Sequence, residues 1–147
     1  AYFYRRSQKG GFDAVLMTQG MEAIMANMDA IETNENASDK DEDLLTTMEV
    51  VYEYYLRGFS FLPIDVYKSH ATKFLIIDGK ILPPFVAISG LGENAAWDLM
   101  RGREGKTFLS IEEVAAACPK VSKTHIQMLK DAGAFGSLPD TSQISLF

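Results

Sequence analysis

The sequence predicts a mainly α-helical chain with one small β hairpin. Apolar residues recur at intervals of three and four along most of the 147 residues, which is the period of an amphipathic helix. Three of these segments begin at a serine, a residue that commonly caps a helix start. One Asp78-Gly79 pair between two apolar runs is a strong signal for a two-residue β turn. The content of 47% hydrophobic and 23% charged residues is typical of one soluble domain or two small ones.

Residues 1–60 are predicted to form a helical unit that starts with a short strand over Tyr2–Tyr4. An amphipathic helix is predicted over Met17–Ile31, and its apolar stripe holds four methionines that we assign to an adaptable core. A second helix is predicted over Asp39–Arg57, with Ser38 as its N-cap and Gly58 at its end. Its buried stripe is predicted to consist of Leu44, Leu45, Met48, Val51, Tyr52, Tyr55 and Leu56.

A small β element is predicted over residues 61–84, where two extended segments surround the Asp78-Gly79 turn and prolines confine the strands to edges or ends. Residues 85–138 are predicted to form two helical pairs. One helix covers residues 93–103, a second opens with a capping box from Ser110 to Glu113, and a third runs from Ser122 to Gly133. Residues 139–147 have no helical period and are predicted to form a flexible tail.

Cysteine and histidine are too scarce for several classes of small protein. The single Cys118 excludes a disulfide framework, and with only His70 and His125 beside it the chain cannot supply a structural zinc site. No apolar run reaches about 18 residues and the start has no signal-peptide layout, so we expect a cytoplasmic protein with no membrane partner. Because Ala1 stands where a Met is expected, we also expect a fragment whose true start lies upstream.

The net charge of −6 is distributed unevenly. Residues 1–79 carry 7 basic and 13 acidic side chains, whereas residues 80–147 carry 7 of each, so the C-terminal half is free to approach a phosphate backbone. The acidity is concentrated in residues 29–43, which we interpret as a solvated loop that leads into a helix, with an acidic partner-binding patch as the alternative.

The segment from Ile88 to Ala95 has the pattern of a hairpin that binds phosphate. Gly90 and Gly92 can take positive φ and leave room for a ligand, so backbone amides there and in the next helix turn can point at a phosphate oxygen, while Leu91 anchors the turn in the core. This is the pattern of a helix-hairpin-helix element, which holds duplex DNA without reading its sequence. The alternative is an ordinary tight turn before a helix.

Nearby cations favour the duplex-binding interpretation, and so does the second helical pair, with which residues 85–138 are predicted to form a tandem helix-hairpin-helix module. Glu93 opposes it, because a carboxylate at the first helix turn repels a phosphate, and we therefore expect modest, salt-sensitive binding. The predicted contact residues are Ser89, Gly90, Leu91, Gly92, Asn94, Arg101, Arg103, Lys106, Lys120 and Lys123.

The last five residues predict a partner-binding motif. Exposed apolar residues at a free chain end are hard to explain by folding, and Leu146 and Phe147 can enter a hydrophobic cleft while the Gln143 amide makes hydrogen bonds at its rim. The alternative is that the tail folds back on its own domain. The predicted motif residues are Gln143, Ile144, Ser145, Leu146 and Phe147.

These features together resemble one family over essentially the whole chain. The run from Gly58 onward, with ISGLGEN, SIEEV, VSKTHIQMLKDAGAFGSLP and the terminal QISLF in that order, is similar to the C-terminal end of the PolC-type DNA polymerase III alpha subunit of Gram-positive bacteria. Residues 1–60, with AYFYRR, MTQGMEAI and LLTTMEVVYEYYLRGF, resemble the last part of the fingers domain of that family. QISLF resembles its sliding-clamp-binding motif.

The resemblance implies that the Gly90-Leu91-Gly92 hairpin contacts duplex DNA and that the terminal motif enters a cleft of the sliding clamp, the beta subunit, with other replisome proteins as further partners. It implies a cytoplasmic protein at the bacterial nucleoid. The sequence departs from the family pattern at Ser89, where a Pro is common, and at Ile144, where Leu is commoner.

The family's nucleotidyltransferase and 3′-5′ exonuclease activities require residues outside this chain, including palm carboxylates that hold magnesium. We therefore expect no catalytic residue, metal site or cofactor here, and Asp39-Lys40-Asp41 is not assigned to a metal. A free-standing module whose hairpins and acidic loop dock a protein is the alternative function. An independent small enzyme has no supporting motif.

Overall fold

The computed structural model describes residues 2–8 and 11–141, and it confirms a mainly α-helical chain with one small antiparallel sheet. Among the described residues, no helix is both long and apolar enough to span a membrane. The elements are α1 (Tyr2–Gln8), α2 (Ala14–Met17), α3 (Met21–Glu32), α4 (Asp39–Leu56), β1 (Leu75–Ile77), β2 (Lys80–Leu82), a 3₁₀ helix (Phe85–Ala87), α5 (Glu93–Arg103), α6 (Ile111–Ala117) and α7 (Lys123–Asp131).

Helix α1 occupies the segment where the sequence predicts a strand over Tyr2–Tyr4, so that prediction is wrong. Phe3 is buried, whereas Tyr2 and Tyr4 on either side are exposed. The Phe3 ring packs in an aromatic cluster with centroid separations of 5.2–5.9 Å. This packing turns the Phe3 side of α1 toward the core. Three apolar residues in a row carry no period that distinguishes a helix from a strand. The other rings of the cluster belong to Phe12, Tyr54, Phe61 and Phe74.

The predicted methionine-rich helix is divided into α2 and α3. Gly20 has a φ of 105°, outside the helical region, and the chain turns there between the two helices. Met17 and Ile24 are fully buried, but Met21 and Met25 are exposed, so the assignment of the whole stripe to the core is wrong. The turn at Gly20 rotates the second helix, and the periodicity of an unbroken helix no longer applies across it.

Helix α4 begins and ends as the sequence predicts. The Ser38 hydroxyl accepts a hydrogen bond from the Asp41 N–H, and the Asp41 carboxylate accepts one from the Ser38 N–H, which forms a reciprocal capping box. Arg6 joins α1 to this helix, because its Nε donates to the buried Thr47 hydroxyl at 2.8 Å. The predicted stripe is buried at its centre, but Leu56 at its end is exposed.

The β hairpin confirms the predicted Asp78-Gly79 turn. Both residues have positive φ, 52° and 77°, which matches the twist of two-residue antiparallel hairpins. Strands β1 and β2 pair with Ile76 opposite Ile81. Phe61 adds only an isolated parallel bridge to Ile81, so the extended segment before the hairpin forms no further strand.

Helices α5, α6 and α7 begin at their predicted positions. The Ser110 hydroxyl accepts from the Glu113 N–H at 3.2 Å, but the Glu113 carboxylate accepts from the Leu109 N–H instead of completing the predicted capping box. The start of the predicted tail is attached to α6, since the carbonyl oxygens of Pro139 and Asp140 accept hydrogen bonds from its first two amides at 2.9 and 3.1 Å. The tail prediction for residues 142–147 lies outside the described residues.

Candidate nucleic-acid interface

Residues 88–92, called hairpin one below, join the 3₁₀ helix to α5. The Leu91 N–H donates to the Ile88 carbonyl oxygen at 3.1 Å, and both side chains are buried while Ser89 and both glycines are exposed. Leu91 therefore anchors the turn in the core as predicted. Gly90 has a φ of 91°, but Gly92 has a φ of −74°, so the expectation of positive φ holds for the first glycine alone.

Close packing also restricts Gly90. A Cβ atom at this position would lie 2.8 Å from the methyl carbon of Met128, which belongs to α7. Hairpin one thus packs against α7, and the two helical pairs form one structure.

The first turn of α5 has free amide groups. Gly92 is its N-cap and provides no side chain to accept a hydrogen bond, whereas α4, α6 and α7 each have a serine cap. The first N–H groups of a helix have no partner within the helix, and they face outward with the positive end of the helix dipole. This geometry suits a phosphate oxygen, with exposed Asn94 in the same turn.

Residues 118–122, called hairpin two below, repeat the frame of hairpin one. The Val121 N–H donates to the Cys118 carbonyl oxygen at 3.0 Å, and both side chains are buried. The cap residues have nearly the same conformation, with φ and ψ of −74° and 169° at Gly92 and −78° and 171° at Ser122. The sequence predicted a tandem arrangement from the second helical pair, but the hairpin at residues 118–122 was not located because it has no glycine. The signal that reveals it is a spacing of 30 residues between Ile88 and Cys118, Leu91 and Val121, and Leu99 and Leu129, all buried.

Hairpin two has the more favourable charge for a phosphate. Lys120 and Lys123 are exposed, and the first turn of α7 has no acidic residue. The capping box here uses His125, whose Nδ1 accepts from the Ser122 N–H at 3.2 Å, in the position where Glu or Gln is usual. An imidazole ring completes this cap in place of a carboxylate, whereas the first turn of α5 contains Glu93.

Buried Asp98 on α5 holds the two hairpins together. One carboxylate oxygen accepts from the Lys120 N–H at 2.8 Å, and the other accepts from Arg101 Nε at 2.9 Å and Nη2 at 2.6 Å. Burial opposes ionisation, but the hydrogen bonds and the nearby cations lower the pKa of Asp98 below its ordinary value. Arg101 also donates to the Ala117 carbonyl oxygen at 3.0 Å, and its side chain remains 61% exposed.

Arg103 points into the protein. Its Nη1 donates to the carbonyl oxygens of Val66 at 3.1 Å and Ser69 at 2.5 Å, and its guanidinium carbon lies 5.8 Å from the centre of the Phe85 ring. Burial lowers the pKa of this guanidinium. Arg103 fastens the loop before the β hairpin to α5, and we remove it from the predicted DNA contacts. Lys106, in the loop after α5, is exposed.

A cleft of about 320 Å³ beside hairpin one is lined by a basic side chain that was not among the predicted contacts. Lys40, near the start of α4, lines this cleft together with Asp13 and residues 88–92. Lys40 lies in the acidic stretch 29–43, which the charge distribution assigned away from DNA, and only the tertiary fold brings it to the hairpin.

The terminal motif Gln143–Phe147 lies outside the described residues, and its contacts stay a prediction. Within residues 2–8 and 11–141, no group of three or more His, Cys, Asp and Glu side chains is arranged to hold a metal ion. Asp41 of the Asp39-Lys40-Asp41 run takes part in the capping box of α4.

Comparison with known proteins agrees with this geometry. A family model described as a helix-hairpin-helix motif matches residues 58–144. The chain is also similar to proteins named DNA polymerase III PolC-type. It is 42% identical over 148 residues to the one from Bacillus cereus, 42% over 150 to that of Streptococcus pneumoniae and 41% over 149 to that of Thermotoga petrophila. Each alignment covers 100% of this chain and 10% of the relative, so the chain spans about a tenth of the length of these proteins. The predicted resemblance to a PolC segment is confirmed.

Proposed function

The chain belongs to the helix-hairpin-helix family, and from this premise we propose that it grips duplex DNA by its backbone and tethers a replicative polymerase to the sliding clamp. The observation that carries the proposal is the pair of hairpins in the same frame, one with free helix amides and the other with exposed lysines. Such contacts position a protein on DNA without reading bases. The proposed duplex contacts are Ser89, Gly90, Gly92, Asn94, Lys106, Lys120 and Lys123. Arg101 is a weaker proposed contact, because its guanidinium also binds Asp98 while the side chain remains exposed.

The similarity to PolC-type proteins over the whole chain supports its place within a DNA-directed DNA polymerase. In this proposal the catalytic carboxylates, their magnesium ions and the exonuclease belong to other parts of the parent protein. The chain then acts as a non-catalytic part that keeps the enzyme on its template in the bacterial cytoplasm at the nucleoid, next to other replisome proteins.

The terminal QISLF motif provides the second attachment in this proposal. A short peptide contact and a modest duplex contact are each weak. When both are made by one molecule, rebinding after either contact breaks becomes intramolecular, and the residence time on DNA increases.

We expect the affinity for duplex DNA to fall steeply with salt, and removal of one hairpin lysine to reduce that dependence. The slope of log K against log salt changes by about 0.9 for each phosphate contact on B-DNA. Lys120→Ala and Lys123→Ala are each expected to reduce the slope by about that amount. The measurement is fluorescence anisotropy with a labelled duplex of random sequence at several salt concentrations.

Arg103→Met is the matched control for these lysine variants. It removes one positive charge from the same half of the chain, but its guanidinium is engaged by the Val66 and Ser69 carbonyls. We expect an unchanged salt slope and a lower unfolding temperature. A reduction of the slope as large as that of Lys123→Ala would contradict the internal role of Arg103, and no duplex affinity in the unmodified chain would contradict the proposed function.

We expect the clamp contact to depend entirely on the terminal motif. Binding of the full chain to a bacterial sliding clamp should be measurable by calorimetry, and a version that ends at Ser142 should show none, because truncation of anchor residues commonly costs about 2 kcal/mol or more for each. A Gln143→Ala variant serves as an intermediate case. Equal binding by the full and shortened chains would overturn the tether and leave duplex binding to be judged alone.

A further inference from the structure

An aromatic pair near hairpin one, the exposed Trp97 and the partly buried His70, has no role in the contacts described above. Trp97 is on α5, one turn after the free amides, and its side chain is 46% exposed. The ring of His70 stands edge-on to the indole, with centroids 5.3 Å apart and an interplanar angle of 80°. A large exposed indole next to a binding surface is a common anchor residue.

The 3₁₀ helix before hairpin one sets the position of His70. The His70 carbonyl oxygen accepts from the Phe85 N–H at 3.0 Å, and the Ala71 carbonyl oxygen accepts from the Val86 N–H at 3.2 Å. Phe85 and Val86 belong to the 3₁₀ helix that leads into hairpin one. His70 and Trp97 are therefore held by the two helices on either side of the same turn.

The hydrogen bonds of His70 determine which ring nitrogen can reach a ligand. Nδ1 accepts from the N–H groups of Thr72 at 3.0 Å and Lys73 at 3.1 Å. A nitrogen that accepts has no proton, so the neutral ring carries its proton on Nε2. Burial, and then the charges of Lys73 and Arg103, lower the pKa of His70, which keeps the ring neutral at neutral pH with Nε2 as a donor.

Glu93 has a defined role in this arrangement. Its carboxylate accepts a hydrogen bond from the Trp97 indole Nε1 at 3.3 Å, one helix turn away. This contact fixes the indole orientation and directs the acidic group toward the ring edge. A residue that is unfavourable for phosphate binding at hairpin one is thus used to position the neighbouring aromatic side chain.

We propose that Trp97 and His70 form a further DNA contact, in which the indole packs on a deoxyribose of the strand held by hairpin one and His70 Nε2–H donates to a phosphate oxygen. The inference rests on the proposed duplex binding. Trp97 lies about 7.5 Å along the helix axis from Gly92, given a rise of 1.5 Å per residue. A strand whose phosphate is held by the α5 amides therefore has its neighbouring sugar and phosphate groups near the indole. The positive charge of Lys73 lies beside His70 and favours the same strand.

The contact of Trp97 is apolar, and this distinguishes it from the lysine contacts. Trp97→Ala is expected to weaken duplex binding about fivefold or more at every salt concentration, with the slope against salt unchanged. Trp97→Phe retains an aromatic ring and should retain most of the affinity. Leu109→Ala is the matched control, because Leu109 is 66% exposed on the loop after α5 and has no place in the proposed contact.

Trp97 is the only tryptophan in the chain, so its intrinsic fluorescence reports on this site directly. We expect its emission to change on addition of a short unlabelled duplex, over the same concentration range in which the anisotropy of a labelled duplex rises. His70→Ala should reduce affinity as well. Thermal melts by circular dichroism verify that each variant is folded at the temperature of measurement.

Two results would overturn the inference, and they are distinguishable. If the duplex binds by anisotropy while Trp97 emission stays constant and Trp97→Ala binds as tightly as Leu109→Ala, the duplex-binding proposal survives and the aromatic contact is wrong. If the unmodified chain gives no anisotropy change at low salt, the proposed function and this inference both fail.

Discussion

Asp98→Ala is expected to lower the free energy of unfolding by about 2–4 kcal/mol, measured by urea denaturation at neutral pH. The carboxylate is 5% exposed and accepts hydrogen bonds from Arg101 and from the Lys120 N–H. Arg101 is 61% exposed and regains water when its partner is removed, so the loss is smaller than for a fully buried ion pair. Most of the cost comes from the lost bond to Lys120, which fixes hairpin two on α5.

Asp98→Asn is the control that separates charge from shape. Its amide oxygen can still accept from the Lys120 N–H, but the attraction to Arg101 is lost, and we expect about half of the destabilisation of the alanine variant. Equal stability of the wild type and Asp98→Ala would contradict the assignment of this carboxylate as the link between the hairpins.

The contribution of Asp98 depends on pH in a defined direction. Its pKa in the folded chain is lowered from the ordinary value of 3.8, so the unfolded state takes up the proton first as the pH falls. The stabilisation is therefore fully present above the unfolded-state pKa and is lost as the pH drops through the folded-state pKa. The stability difference between the wild type and Asp98→Asn should shrink below a pH of about 4 and be constant above about 5.

The same link has a consequence for DNA binding. If hairpin two detaches from α5, its lysines no longer keep a fixed spacing from the free amides of hairpin one. When two contacts lie on a rigid frame, binding costs no further conformational freedom. When they lie on separate mobile parts, binding must also order those parts, and this weakens the affinity. Asp98→Ala is thus expected to weaken duplex binding even at temperatures where the chain remains folded.

Local signals in the sequence predicted much of the fold. Ser38, Ser110 and Ser122 cap helices as expected, and the Asp78-Gly79 turn closes the β hairpin, because a cap or a tight turn depends on residues within three or four positions. The burial of Leu91 was also predictable from its neighbours, since it is the apolar residue between two glycines in a short turn.

Interactions between residues far apart in the chain leave no local signal in the sequence. Arg103 looked like a surface cation, but its acceptors are more than 30 residues away and their carbonyls have no sequence signature. Asp98 is one charged residue among many until the fold brings Lys120 to it. The break at Gly20 was missed because methionines on both sides continue the helical period. Tertiary packing also decided the structure around Phe3, where the local pattern was ambiguous.

Gly102→Ala is expected to destabilise the chain by about 2 kcal/mol, although this change usually stabilises a helix. In a helix interior, Ala is favoured over Gly by about 1 kcal/mol. At Gly102 of α5, however, an added Cβ would lie 2.5 Å from Cys118 Sγ and 2.8 Å from the Ala117 carbonyl oxygen. Both neighbours are at the end of α6 and Cys118 is fully buried, so neither can move without disturbing hairpin two. Overpacking of this kind costs about 1–3 kcal/mol or more, which outweighs the gain in helix propensity.

Gly92→Ala provides the matched control, because a Cβ there meets nothing within 4 Å and the φ of −74° is open to any residue. It should change stability by about 1 kcal/mol or less, through the weaker N-cap preference of Ala. A double-mutant cycle with Cys118→Ala tests the cause: removal of Sγ should recover part of the Gly102→Ala loss, and the 2.8 Å approach to the Ala117 oxygen should retain the rest. A stabilising effect of Gly102→Ala would mean that α5 and α6 are not in close contact, and the rigid spacing of the two hairpins would then have no structural basis.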